Sequence, residues 1–210
     1  MNDDTKSNPL SLKFIMLGNT EVGKTSLIHR YINNEFLQQI ATIGVEFERK
    51  KVIIDKKEIE VKIFDTAGQD RFRNIVKQYY QGSDIILIVF ALDQLNSGDD
   101  IKYWMAQLQD KVDLNKVTIG LCGNKTDKED SFMTKDKDIE TLWESFQIKN
   151  KLRYFKTSAL KGDGVDEMFN KLINEGYKKK LNVLKHQSND ENDFQLSGKK
   201  SSKKKDKKYC

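Results

Sequence analysis

An apolar run, a glycine-containing loop and an amphipathic stretch follow one another near the start of the chain. The run covers residues 12–17, the loop GNTEVGKT covers residues 18–25, and residues 26–34 carry apolar positions at helical spacing. The loop fits the pattern GxxxxGK[ST], and its context between a strand and a helix makes that pattern specific. Backbone N–H groups of such a loop point at phosphate oxygens. The sequence therefore predicts an α/β core with a nucleoside-triphosphate site at this loop.

The residues of the loop have different expected roles. Lys24 would place a positive charge near the β and γ oxygens, and the Thr25 hydroxyl would bind Mg²⁺. The residues expected to contact the phosphates are Thr20, Glu21, Val22, Gly23, Lys24, Thr25 and Ser26. A fortuitous glycine turn is the alternative, but a lysine buried at a helix start would then lack an anion.

Strand-like and helix-like patterns alternate along the rest of the chain, which is typical of an α/β domain on a mainly parallel sheet. Residues 51–54 and 58–64 alternate charged and apolar positions, and residues 55–57 mark a hairpin. Residues 84–92 and 117–122 are continuously apolar, as strands covered on both faces should be. Further elements are expected as helices at residues 99–112, 139–146 and 165–181 and a strand at residues 153–157. We expect a six-stranded, mostly parallel sheet with one antiparallel edge strand and about five helices.

Charge is distributed unevenly over the 210 residues. Seven lysines and one aspartate between residues 199 and 210 give that segment +6, while the whole chain carries +5. We expect a short polar extension at residues 1–11, one nucleotide-binding domain at residues 12–181, and a disordered basic tail at residues 182–210 that is poor in apolar residues. No apolar run approaches the roughly 18 residues of a membrane span, and residues 1–11 do not resemble a secretory signal. A cytosolic location is expected.

The loop Asn124-Lys125-Thr126-Asp127 predicts which base is bound. Ligands of α/β sheets bind at the carboxyl ends of strands, so this loop and the phosphate-binding loop can meet. The Asp127 carboxylate can accept hydrogen bonds from both N1–H and the exocyclic amine of guanine, a donor pair that adenine lacks. Asn124, Lys125 and Asp127 are therefore expected to bind guanine. Alone, such a motif is often an ordinary polar loop.

A third loop, Asp65-Thr66-Ala67-Gly68-Gln69, follows the strand expected at residues 58–64. Asp65 is expected to hold Mg²⁺ through water. Gly68 would allow the backbone to approach a γ-phosphate. Gln69 is the expected catalytic residue, because its carboxamide can orient an attacking water. The alternative is that Gln69 is a solvated loop residue.

These motifs together resemble the Ras superfamily of small GTPases. The segments at residues 42–47 and 65–72, with Tyr79-Tyr80, resemble its Rab branch. The resemblance covers roughly residues 12–177 and implies the three-layer fold of P-loop GTPases, with a GTP/GDP switch, GTP hydrolysis and a role in vesicle traffic. It also implies contacts to Mg²⁺ and γ-phosphate from Thr42 and contacts to the guanine from Phe36, Ser158, Ala159 and Leu160. Core packing is the alternative for Phe36.

The same resemblance implies a monomer that works with a guanine nucleotide exchange factor, a GTPase-activating protein, effectors, and a GDP dissociation inhibitor or escort protein. It implies the cytoplasmic side of an endomembrane, with cycling through the cytosol. Rab proteins usually end in two cysteines, whereas Cys210 is single and terminal. Prenylation of Cys210 is expected, with the lysine cluster as a second signal for an anionic membrane. An incidental cysteine on a solvated basic tail is the alternative. Nucleic-acid binding is not expected, because aromatic residues do not interleave with these lysines.

Three residues and one spacing depart from the family pattern. Glu21 is acidic in a loop that attracts phosphate, and five residues rather than six separate Phe36 from Thr42. Leu160 replaces a lysine that usually packs on the base, and Phe64 replaces a common tryptophan. The first two departures favour slow hydrolysis, and they are the basis for an alternative function: a nucleotide-binding interaction module with little turnover. Cys122, in an apolar run, is expected to be an inert core thiol.

Overall fold

Six strands form a single sheet in the computed structural model, which describes residues 10–37, 42–146 and 152–202, with side chains described as far as residue 185. The sheet order is β2-β3-β1-β4-β5-β6. The strands are β1 Ser11–Leu17, β2 Val45–Ile54, β3 Lys57–Thr66, β4 Ile85–Ala91, β5 Thr118–Asn124 and β6 Tyr154–Thr157. Within this sheet β2 pairs antiparallel with β3, and the other neighbours pair in parallel. The predicted sheet with an antiparallel edge strand is confirmed.

The helices connect these strands. They are α1 Lys24–Asn33, α2 Arg73–Lys77, α3 Ser97–Gln109, α4 Asp136–Ser145 and α5 Val165–Ser202, with 3₁₀ segments at Asp70–Phe72 and Thr126–Ser131. The four longer predicted helices are confirmed with shifted ends, whereas α2 is too short to show a helical period. The sequence predicts that the last helix ends at residue 181, but α5 continues to Ser202. No glycine or proline between residues 181 and 197 stops it.

Helices cover both faces of the sheet. On one face α1 and α5 meet, and the rings of Tyr31 and Phe169 stack with centroids 4.2 Å apart. On the other face α3 and α4 bury Trp104 and Trp143. Every residue of β4 is buried, as its continuous apolar run predicts. The result is a three-layer α/β fold in which the carboxyl ends of β1, β3, β4, β5 and β6 meet at one edge.

Two further sequence expectations concern single features. The hairpin between β2 and β3 turns through Asp55 and Lys56, which both have positive φ, as the favoured two-residue hairpin turn requires. Cys122 is fully buried, and burial raises the pKa of its thiol to about 12. That value is consistent with the expected inert thiol. Within the described part of the chain, no helix is long and apolar enough to cross a membrane.

Candidate nucleotide-binding site

Loops at the carboxyl ends of β1, β3, β5 and β6 enclose a cavity of about 580 Å³, a size typical of ligand pockets. Its lining residues are Thr20, Glu21, Gly23, Lys24, Thr25, Ser26, Phe36, Thr42, Gly68, Gln69, Asn124, Lys125, Asp127, Lys128, Ala159 and Leu160. Of the residues expected to bind nucleotide, Val22 and Ser158 do not line the cavity and lie buried behind its wall. The fold thus brings the predicted loops together around one space.

Lys24 begins α1 with its side chain buried. Its Nζ donates hydrogen bonds to the backbone oxygens of Gly18 and Asn19, each at 2.8 Å. Burial lowers the pKa of Lys24 to about 8, against the opposing effect of the Asp65 charge. Carbonyl groups orient this ammonium but do not neutralise it. An anion bound in the cavity would neutralise this charge. A fortuitous glycine turn, the alternative to a phosphate site, would leave it unneutralised.

Two hydroxyl groups that line the cavity converge on one buried carboxylate, Asp65, which does not itself line it. The Thr25 hydroxyl donates to Asp65 Oδ2 at 2.5 Å, and the Thr42 hydroxyl donates to the same oxygen at 3.1 Å. The two hydroxyl oxygens are 2.9 Å apart. Asp65 Oδ1 is buried without a hydrogen-bond partner among the described residues. Burial raises the pKa of Asp65, and the Thr25 hydrogen bond and the Lys24 charge oppose this effect.

This group of oxygens fits Mg²⁺. Carboxylate and hydroxyl oxygens are hard ligands that suit this ion, and an orphaned carboxylate oxygen is the position that a cation or its water would fill. The described residues contain no cluster of three or more His, Cys, Asp or Glu side chains that could hold a metal ion. Mg²⁺ in nucleotide sites usually shares its coordination with waters and phosphate oxygens, and a bound ion would do so here.

The loop after β3 lies against the phosphate-binding loop. A Cβ atom at Gly68 would lie 2.2 Å from the carbonyl carbon of Asn19 and 2.4 Å from the backbone nitrogen of Thr20. Glycine is therefore required for this close approach. The neighbouring Gln69 lines the cavity, and its Oε1 accepts a hydrogen bond from Arg71 Nε at 2.8 Å. An amide oxygen can accept two hydrogen bonds, so this contact leaves a second position on that oxygen for a water.

Asn124 connects three loops at the opposite end of the cavity. Its Nδ2 donates to the Val22 backbone oxygen at 2.9 Å, and its Oδ1 accepts from the Thr157 hydroxyl and the Ala159 backbone N–H, each at 3.2 Å. Asn124 is buried. Its oxygen accepts two of these bonds and its amide nitrogen donates one, so Asn124 holds the surrounding loops in place. The expected contact of Asn124 with guanine stays a prediction.

Asp127 is oriented by Ser158, whose hydroxyl donates to its Oδ1 at 2.5 Å. Ser158 thus contacts the residue that would recognise the base, and its own expected contact with the base stays a prediction. Arg30 fixes the same loop, because it donates to the backbone oxygens of Ala159 at 3.0 Å and Leu160 at 2.7 Å. Sequence reasoning missed Arg30, since it lies about 130 positions from its partners.

The remaining walls of this end are partly exposed. Phe36 is 38% exposed and Leu160 is 49% exposed, and both line the cavity. Simple core packing therefore does not describe Phe36. Lys125 and Lys128 pair with opposite oxygens of Asp93, at 3.4 Å and 2.7 Å. Neither Asp93 nor Lys128 was identified from the sequence.

Glu21 lies at the rim of the cavity in an unusual backbone conformation. It is exposed, and its φ of 63° lies in the left-handed region, which is unfavourable for residues other than glycine. The carboxylate is therefore displayed at the phosphate end of the site at a cost in backbone strain.

Comparison with known proteins agrees with this geometry. The model of the Ras family matches residues 13–178. The Ras-related protein Rab-4 of Dictyostelium discoideum is 40% identical over 165 residues, which cover 77% of each chain. The GTP-binding protein ypt3 of Schizosaccharomyces pombe is 35% identical over 78% of this chain and 74% of its own, and the Ras-related protein Rab11C of Nicotiana tabacum is 35% identical over 90% and 84%.

The fold and the cavity are those of a P-loop GTPase. The chain belongs to the Ras family, in its Rab branch: it is a Rab-like small GTPase of vesicle trafficking and a GTP hydrolase. Proteins of this branch bind GTP and GDP, associate with endomembranes, and act with regulators and effectors. The alternative of an interaction module with little turnover gains no support from these comparisons.

Proposed function

We propose that the chain is a magnesium-dependent GTP/GDP switch that uses the cavity between the phosphate-binding loop and Asp127. The observation that carries this proposal is the shared Asp65 oxygen, which accepts from Thr25 at the start of α1 and from Thr42 before β2. Two hydroxyl groups from separate segments meet one carboxylate only if those segments close together. A cation and a γ-phosphate at this position would hold Thr42 in place, and loss of the phosphate would release it.

The hydrolysis step follows from the positions of three side chains. Lys24 would neutralise charge on the β and γ oxygens, and the Gly68 backbone would approach the γ-phosphate. Gln69, whose oxygen contacts Arg71, would also accept a hydrogen bond from the attacking water and so orient it. Mg²⁺, when bound by Thr25, Thr42 and Asp65, would supply further positive charge to the phosphates. Asp127, oriented by Ser158, would select guanine, with Phe36 and Leu160 packing on the base.

The rate of this reaction is proposed to be low without an activating protein. Glu21 adds a negative charge beside the site of the γ-phosphate, and residues 37–41 form a shortened connection to Thr42, part of which lies outside the described residues. Single-turnover hydrolysis in Glu21→Gly tests this point. A faster rate supports it, and an unchanged rate removes Glu21 as the cause.

The partners and the location are proposed from the family. We expect an exchange factor, an activating protein, effectors and a GDP dissociation inhibitor or escort protein, with the chain cycling as a monomer between cytosol and an endomembrane. Cys210 and the last lysines lie outside the described residues. We propose that Cys210 is prenylated and that the lysines strengthen binding to an anionic surface. Mass spectrometry of the C-terminal peptide from native cells tests this, and a free thiol alone would contradict it.

The experiment that tests the proposed switch is GTP hydrolysis by the purified chain. We expect release of phosphate that requires Mg²⁺ and is lost in Gln69→Ala, while GDP affinity remains within about twofold. A matched control is Gln78→Ala, which changes a glutamine at the end of α2, outside the cavity. Absence of phosphate release from the unmodified chain would contradict the proposal.

A further inference from the structure

Asn19 is a junction that neither the loop motif nor the proposed reaction explains. Trp104, fully buried on α3, donates from Nε1 to Asn19 Oδ1 at 3.2 Å. The backbone oxygen of Asn19 accepts the hydrogen bond from Lys24, and its carbonyl carbon is the atom closest to a Cβ built at Gly68. Helix α3, the phosphate-binding lysine and the loop after β3 therefore all meet at one residue.

Arg73 contacts the same part of α3 from the other side. Its guanidinium lies 4.0 Å from the ring centre of Tyr103 and 5.9 Å from that of Trp104, and the two rings meet edge to face at 5.2 Å. Arg73 also pairs with Asp70 at 2.6 Å, and its Nε is buried without a hydrogen-bond partner among the described residues. Because Arg73 is the first residue of α2, the Tyr103–Trp104 pair touches both the phosphate-binding loop and the helix that follows Gln69.

Asp100, one helical turn before Trp104, lies close to both Asn19 and Arg73. It lines an open cavity of about 760 Å³ together with Asn19, Gly68 and Gln69. Burial raises the pKa of Asp100, and the Asn19 amide and the Arg73 charge oppose this effect. One carboxylate is thus near the phosphate-binding loop and near the first residue of α2.

We infer that Trp104 is a positioning residue for GTP hydrolysis. It fixes Asn19 in place. The Gly68–Gln69 loop and α2 then change position relative to Asn19 when the γ-phosphate binds or leaves. This inference rests on the proposed GTP/GDP switch. Gly68 lies so near Asn19 that a Cβ there would clash, so a movement of Gly68 toward a γ-phosphate would change that contact. The buried indole of Trp104 holds Asn19 in place. Gln69 therefore moves relative to Asn19, and Arg73 moves relative to the rings of Tyr103 and Trp104. Trp104 itself touches no reacting atom.

Tryptophan fluorescence tests the inference directly, because the chain contains two tryptophans. Trp143→Phe leaves Trp104 as the sole emitter, and its emission is expected to differ between Mg²⁺–GDP and a non-hydrolysable GTP analogue with Mg²⁺. Adding Asn19→Ala should reduce the difference, because the indole then loses its bond to the phosphate-binding loop while Arg73 still moves on the rings, and Trp104→Phe, which keeps Trp143, should show none. Equal emission of Trp104 in both nucleotide states, or a difference that persists in Trp104→Phe, would overturn the inference.

Single-turnover kinetics separate positioning from a merely structural role. Trp104→Phe keeps an aromatic ring and deletes the N–H donor, so the rate of GTP hydrolysis should fall about three- to tenfold, which is the effect of one neutral hydrogen bond. GDP affinity should stay within about twofold, and the control Trp143→Phe should match the unmodified chain in both. An unchanged hydrolysis rate, or an equal loss of rate and affinity, would overturn the inference.

Asn19→Ala serves as the second variant if Trp104→Phe does not fold, since Asn19 is only partly buried and the variant removes the same hydrogen bond. It should show the same selective loss of rate, and a rate equal to that of the unmodified chain would contradict the inference. If the unmodified chain itself releases no phosphate, the proposed function fails. If it hydrolyses GTP and both variants do so equally fast, the inference alone fails.

Discussion

The two ends of the nucleotide cavity are built differently. At the guanine end, Asn124 satisfies its side chain with three hydrogen bonds inside the protein, and Ser158 holds Asp127. At the phosphate end, the Asp65 Oδ1 atom has no partner among the described residues, and the buried Lys24 ammonium binds carbonyl oxygens. We call the guanine end complete in the sense that hydrogen bonds within the protein hold its loops together, whereas the phosphate end has charges that a ligand must satisfy.

This difference fits the work of a switch. A complete guanine end recognises the same base before and after hydrolysis. An incomplete phosphate end gains order from the γ-phosphate and Mg²⁺, so its conformation can report which nucleotide is bound. Substitutions at the guanine end should therefore affect folding, and substitutions at the phosphate end should affect ligand binding.

Asn124→Ala is expected to have the largest effect. It removes the hydrogen bonds of Asn124 to the Val22 oxygen and the Ala159 N–H and one of the two contacts of the Thr157 hydroxyl, so the free energy of unfolding should fall by about 3 kcal/mol. Urea denaturation measures this change. The exposed Asn115→Ala is the matched control and should change stability by less than about 0.5 kcal/mol. Loss of GDP affinity with unchanged stability would show that Asn124 acts on the base and not on the loops.

Lys24→Met should show the opposite pattern. It removes charge-assisted contacts to phosphate, so GDP affinity should fall about 100-fold, as measured by calorimetry. Without nucleotide the variant should be at least as stable as the unmodified chain, because a buried ammonium with a lowered pKa costs free energy. Lys128→Met, which changes a more exposed lysine on the same cavity, is the control. A strong loss of stability in Lys24→Met would mean that the phosphate end is also complete within the protein.

Asp65→Asn should weaken the dependence of GDP binding on Mg²⁺. The amide keeps the shape of the side chain but removes the charge, so the gain in GDP affinity on adding Mg²⁺ should shrink about tenfold. Nucleotide release after chelation of the metal measures this gain. Asp70→Asn, an exposed acid in the loop after β3, should behave like the unmodified chain. An unchanged response to chelation would rule out Asp65 as part of the metal site.

Glu21→Gly should have the smallest effect on stability. Relief of the left-handed strain, reduced by the entropy of glycine, should raise the free energy of unfolding by about 0.5–1 kcal/mol. Glu21→Ala removes the carboxylate and keeps the strain, so it should not be stabilised. If hydrolysis accelerates in both variants, the Glu21 charge slows the reaction in the unmodified chain. If it accelerates in the glycine variant alone, the strained backbone at residue 21 slows it.

Local sequence patterns predicted much of this molecule. Strands β4 and β5 were clear because each is a continuous apolar run, and the loops at residues 18–25 and 124–127 were clear because their chemistry depends on residues close in sequence. Strand β2 was predicted only from residue 51, although it begins at Val45. Its exposed edge carries so many charged residues that the strand period is obscured.

Contacts between distant parts of the chain were not predictable. The hydrogen bond from Trp104 to Asn19 joins residues 85 positions apart, and Trp104 alone was expected to be an ordinary core residue. Ser158 was expected to touch the base, but its hydroxyl is already used by Asp127. Neither arrangement leaves a local signal, because each depends on how α3 and the loop after β6 pack against other strands.

Hydrogen–deuterium exchange of the purified chain, with and without GDP and Mg²⁺, compares the two ends of the cavity directly. Amides at residues 42–47 and 65–72 should gain at least about tenfold protection when the ligands bind, whereas amides at residues 118–124 and 157–160 should be protected in both conditions. Equal gains in protection at the two ends, or no gain at residues 42–47, would contradict this account, in which the guanine end is complete within the protein and the phosphate end is completed by the ligand.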